Sequence, residues 1–139
     1  MQLATIPIRV ARPSRDLAAA RSFWVDGLGL SVLWQTGPEA EGGHSLLMVG
    51  APGAAWHMEL VEDEAAHAAS HPSPEDLLVL YLGHAPDDAV IDRLLSRGGV
   101  RVTSPNPYWE RFGVTIMDPD GYRLVLSART WESRALPPG

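Results

Sequence analysis

The sequence predicts an α+β domain made of two βαβββ modules, whose paired four-stranded sheets form a half-open barrel around a cleft. Three observations predict it. The order strand, helix, three strands runs over about residues 4–62 and recurs over about residues 76–131, with a linker at 63–75. Both module helices end on glycines, at Gly27-Leu28-Gly29-Leu30 and at Gly98-Gly99-Val100. The second module closes on a hairpin whose turn is Asp118-Pro119-Asp120-Gly121. In that turn proline pre-sets φ, the two acids can bond nearby amides, and glycine supplies positive φ. Phe112, Val114 and Ile116 before it, and Tyr122, Leu124 and Leu126 after it, alternate with the period of strands buried on one face. Neither sheet can bury both faces alone, so the two modules must share a core and a cleft.

Each element follows from local chemistry. Thr5–Ala11 reads as a strand, with Pro7 at its edge and Pro13-Ser14 ending it. Leu17, Ala20, Arg21, Trp24 and Leu28 recur at helical spacing, which predicts a helix over Arg15–Asp26 with Ser14 as N-cap. Leu30–Gln35 is a strand and Thr36–Gly43 a polar loop. His44–Gly50 and Ala55–Val61 form a hairpin around Ala51-Pro52-Gly53-Ala54. Glu62–Glu75 is a solvated linker with a helical turn through Ala65–Ala69; His67 and His71, four apart, belong to it. The apolar run Asp76–Gly83 predicts a strand buried on both faces. Pro86, Asp87 and Asp88 start a second helix, whose inner face is Val90, Ile91, Leu94 and Leu95. Val100–Thr103 is a strand, and Pro107–Arg111 reads as a loop before the hairpin.

Composition narrows the function. A chain of 139 residues with net charge −6 and no basic tract argues against nucleic acid and anionic membrane as partners. There is no cysteine, hence no disulfide, thiolate nucleophile or thiolate metal site. The start has no signal-peptide pattern and no apolar run reaches the ~18 residues of a membrane span, so the cytoplasm is the expected location.

His57 and Glu59, two apart on a strand, share a face, where Glu59 suits a general base and His57 its proton partner. The bland alternative has Glu59 neutralised by an arginine. Arg9 is either a carboxylate clamp for a ligand or that internal partner. Trp24 fits the first helix's core stripe, and Trp56 and Met58 lie opposite His57 and Glu59. Trp34 can face either way. Tyr108 and Trp109 offer either a stacking wall for a planar ligand or an interface patch, with Arg111 either closing the rim or solvated. His44 and His84 have no partner in sequence.

Phe23-Trp24-Val25-Asp26-Gly27-Leu28-Gly29-Leu30, His57-Met58-Glu59-Leu60 and Gly113–Arg123 together resemble the vicinal oxygen chelate superfamily, the glyoxalase/bleomycin-resistance/dioxygenase fold. Ile8-Arg9-Val10-Ala11-Arg12-Pro13 with Asn106-Pro107-Tyr108-Trp109 is similar to its small YycE-like bacterial members. The resemblance implies metal-ligand positions at Thr5, Glu59, Leu77 and Val125. Only Glu59 is a good ligand there, whereas mononuclear sites use about three His or carboxylate donors. No metal or other cofactor is therefore expected. The resemblance implies a homodimer that binds a small organic molecule in the cleft, including antibiotic sequestration, through Arg9, His57, Glu59, Trp34, Tyr108, Trp109 and Arg111. The alternative class is an enzyme: a lyase or dioxygenase using a divalent metal, or a metal-free isomerase using Glu59.

Overall fold

The computed structural model describes residues 1–40 and 42–139. Among the described residues there are two separate four-stranded sheets, and no barrel closes. The first contains β1 (Ile8–Ser14), β2 (Ser31–Thr36), β3 (Leu46–Gly50) and β4 (Trp56–Glu62), in the order β1-β4-β3-β2. The second contains β5 (Leu77–Tyr81), β6 (Val100–Val102), β7 (Gly113–Met117) and β8 (Arg123–Ser127), in the equivalent order β5-β8-β7-β6. In each sheet the first strand pairs parallel with the last, and the other neighbours pair antiparallel. The repeat read from the sequence is thus a repeat of topology.

The helical segments are α1 (Leu17–Arg21), running on into a π-turn at Ser22–Gly27, then α2 (Glu64–Ala69), α3 (Asp88–Ser96) and α4 (Pro107–Phe112). The π-turn departs from the regular helix expected over Arg15–Asp26. Its wider turn, closed by the Leu28 amide donating to the Phe23 carbonyl, carries two adjacent aromatics, Phe23 and Trp24, into the core. Their rings meet edge-on, with centroids 4.8 Å apart. β1 begins and ends later than expected. Pro13 and Ser14 belong to it, because Pro13 lies on an edge strand where its missing N–H costs no ladder bond. The N-cap is Asp16, not Ser14: its carboxylate accepts from the Ala18 and Ala19 amides.

One core serves both modules. Leu47, Val49, Met58 and Leu60 of the first sheet, Phe23 and Trp24 of the π-turn, Ile91 and Leu94 of α3, and Ile116, Leu124 and Leu126 of the second sheet form a single buried cluster. The two helical layers touch closely. A Cβ on Gly27 would stand 3.2 Å from Leu94 Cδ2, and Arg93 Nε donates to the Gly27 carbonyl at 3.1 Å.

The linker is more than a solvated connection. His67 on α2 lies 3.3 Å from the Asp120 carboxylate, which also accepts from the Arg15 amide at 3.0 Å. Linker, first module and second module therefore meet at the Asp118–Gly121 turn. Inside the turn one Asp118 oxygen accepts from the Asp120 and Tyr122 amides, both at 2.9 Å. Burial, with the neighbouring Asp120 charge adding to it, raises the Asp118 carboxyl from 3.8 to about 6, against the pull of those two amides.

Candidate functional site

β4 exposes to the core side Met58 and Leu60, both buried, so His57 and Glu59 share the opposite, outer face. The parallel register sets Arg9 beside His57 and Ala11 beside Glu59. Arg9 joins the two: its Nε donates to His57 Nε2 at 2.9 Å, and its Nη1 lies 3.2 Å from Glu59 Oε2. A ring nitrogen that accepts from a guanidinium carries no hydrogen, so the His57 hydrogen sits on Nδ1. Arg9 is half-exposed, whereas the Glu59 side chain is only 17 % exposed.

The remaining strands extend this face. Met48 lies across from Glu59, and Trp34 across from Met48, so Trp34, Met48 and Glu59 form one row over β2, β3 and β4. At ~4.8 Å per strand, the row spans about 10 Å. The register shifts between Val32 and Trp34. That bulge fixes the orientation of Trp34, which sequence alternation left open, and leaves the residue 61 % exposed. Leu33, the extra residue, lies over Gly50: a Cβ there would stand 3.0 Å from Leu33 Cδ1 and from His57 Cβ.

The outer face of the second sheet differs. Thr115, Val125 and Ser127 are buried outside the shared core cluster, and α4 packs on β7 and β8. The segment read as a loop at Pro107–Arg111 is thus a short helix, with the Asn106 side chain accepting from the Tyr108 amide and Pro107 at its first turn. Tyr108 meets Trp109 and Phe112 edge-on, at 4.8 Å and 5.3 Å. Arg111 and Arg129 stack on Phe112 at 5.0 Å and 4.6 Å. Tyr108 and Trp109 are half-buried and Arg111 exposed, and they belong to a different sheet from Arg9, His57, Glu59 and Trp34.

Two family descriptions match the chain: the YycE-like N-terminal domain over residues 8–61 and the YycE-like C-terminal domain over residues 75–128. The chain belongs to the YycE-like family. Bacillus subtilis YycE is 39% identical over 120 residues, covering 86% of this chain and 85% of that one. The crystal structure of a YycE protein from the same organism superposes with a TM-score of 0.76 at 34% identity, covering 93% of each chain. A glyoxalase/bleomycin resistance protein from Streptomyces sp. CB03234 superposes with a TM-score of 0.54 at 25% identity, covering 87% of this chain and 98% of that one. The YycE-like chain thus has the glyoxalase/bleomycin-resistance fold.

The metal positions implied by that superfamily do not suit an ion in this YycE-like chain. Thr5, expected on the first strand, lies in a 3-10 turn before it (Leu3–Thr5), so Arg9 and Ala11 are the β1 residues beside His57 and Glu59. Leu77 and Val125 are hydrocarbon, and the one carboxylate of the set, Glu59, already faces a guanidinium. Among the described residues no three His, Asp or Glu side chains are grouped to hold a metal.

Proposed function

We propose that this YycE-like protein binds a small organic molecule on the outer face of its first sheet, without a catalytic metal. One observation carries the reading: Arg9 is held between His57 and Glu59 on the face that also presents the exposed indole of Trp34. The row from Trp34 through Met48 offers an apolar platform, and the Arg9–His57–Glu59 group offers donors and an acceptor at its end. Tyr108, Trp109 and Arg111 supply a second wall once a partner copy brings the two sheets' outer faces together. Support for a homodimer comes from β1, an edge strand whose Ile8 and Val10 are exposed. The Streptomyces relative's name, a glyoxalase/bleomycin resistance protein, supports an antibiotic as ligand, with sequestration as the outcome we propose. Among the described residues no helix is long and apolar enough to cross a membrane. We place the protein in the cytoplasm.

The test is a panel of aromatic natural products read by tryptophan fluorescence and by product analysis, with metal analysis of the purified protein. Saturable quenching of the wild type, lost in Trp34→Ala and weakened in Arg9→Ala, with the ligand recovered unchanged, is the expected result. One tightly held metal per chain that disappears in Glu59→Gln, or turnover of the ligand, would replace the binding reading with an enzymatic one.

A further inference from the structure

Between the modules, on the core side of the sheets, lies a cavity of about 270 Å³ remote in chemistry from the Arg9 face. Leu28 and Leu30 close it from the first module, and Leu80, Leu82, Val90 and Leu126 from the second. At ~30 Å³ per water, its volume equals about nine waters, enough for a small ring with a short arm. The wall at Gly29 is open: that residue has φ +94° and a Cβ there would meet nothing within 4 Å.

The mouth is polar and one-sided. His84 Nδ1 lies 2.9 Å from the Ala85 carbonyl, which can only accept, so the ring hydrogen sits on Nδ1 and Nε2 is an acceptor. Asp87 stands at the N-cap position of α3, yet its carboxylate caps no amide and forms no ion pair among the described residues. Two acceptors thus face an apolar chamber whose lining contains no lysine or arginine. The neighbouring Asp88 adds negative charge.

We propose that this inter-module cavity is a binding site for a small apolar molecule carrying a primary ammonium. The ammonium bonds the Asp87 carboxylate and His84 Nε2 at the mouth, and the apolar body fills the space between Leu30, Leu82 and Val90. A carboxylate ligand would set its charge against those of Asp87 and the neighbouring Asp88, so the site favours the ammonium.

The probes are 2-phenylethylamine and its acid counterpart 3-phenylpropanoate, titrated at physiological salt into the full chain and followed by amide chemical shifts. The amine is expected to bind saturably and to shift the amides of Leu28–Leu30 and Leu80–Asp87. Loss of one charge-assisted bond in Asp87→Asn should weaken it about tenfold. Asp87 is exposed and caps nothing, so this variant folds; a wild-type melting curve verifies it. The acid should bind at least about tenfold more weakly than the amine. Equal binding of acid and amine, unchanged affinity in Asp87→Asn, shifts centred on other residues, or no saturation would each overturn the assignment.

Discussion

Arg9 shows how much one side chain organises and how little it stabilises. It is about half-exposed, so its ion pair with Glu59 lies in the regime where solvent screening leaves ~0–1 kcal/mol. Arg9→Ala should therefore lower the unfolding free energy by less than about 1 kcal/mol in a denaturant titration. Its effect on His57 should be larger in kind. The wild-type ring nitrogen spectrum should show the hydrogen on Nδ1, and the variant should show a mixture of tautomers; an identical spectrum would mean that Arg9 does not orient the ring. The pairing of Glu59 with an arginine was legible as one of two alternatives, because both groups share a face. The identity of the neighbours was not. Met48 and Leu33 join the face through a register and a bulge, and neither leaves a mark in alternation. Gly99 is the opposite case, a residue whose absence of a side chain is structural. A Cβ would stand 2.7 Å from the Leu94 carbonyl oxygen and 2.8 Å from both Ile116 Cγ2 and Phe23 Cε2. Gly99→Ala should destabilise by ~1–3 kcal/mol through overpacking, visible as a lower melting temperature.

Among the elements, the eight strands and the two module helices were readable because period-two and helical spacing survive folding. The departures have particular physical causes. The π-turn admits two neighbouring aromatics to the core, and β1 keeps Pro13 because edge strands tolerate it. Residues 107–112 coil because Asn106 and Pro107 start a helix more effectively than aromatic composition suggests. The Asp118–Gly121 turn was recognised as a hairpin, but its role at the junction of three segments needed the fold to bring Arg15 and His67 to it. That turn also sets a pH dependence. The folded Asp118 carboxyl is raised from 3.8 to about 6, so between these values the folded state holds a proton that the unfolded state has released. Its contribution to stability is therefore lost as pH rises through that window, by about 3 kcal/mol at ~1.4 kcal/mol per unit. Asp118→Asn keeps the acceptor oxygen and removes the charge. It should be more stable than the wild type at pH 7, with the gain vanishing by about pH 4; a gain that grows on acidification would contradict the burial of this carboxylate.

At the scale of the whole molecule, the modules repeat in topology but not in use. One sheet leaves its outer face open around Arg9, His57, Glu59 and Trp34, while the other buries Thr115, Val125 and Ser127 and carries α4. Sequence repetition announced the symmetry; the asymmetry arises because the connection between β6 and β7 coils into α4, whereas among the described residues no helix lies between β2 and β3. The core, by contrast, is shared, and this fixes how the chain should unfold. Leu94 of the second module is fully buried against Gly27 and Gly99, beside Phe23 and Trp24 of the first. Truncating it removes packing from both modules at once. Leu94→Ala should cost ~2–5 kcal/mol. The loss should appear equally at the Trp24 and the Trp109 resonances of one 5-fluorotryptophan-labelled chain. Coincident curves before and after the mutation are what one cooperative core requires. If instead the Trp109 transition, in the same module as Leu94, moved while the Trp24 transition kept its midpoint, the two modules would be separately stable units joined by contact, and the inter-module cavity would lie between bodies free to part.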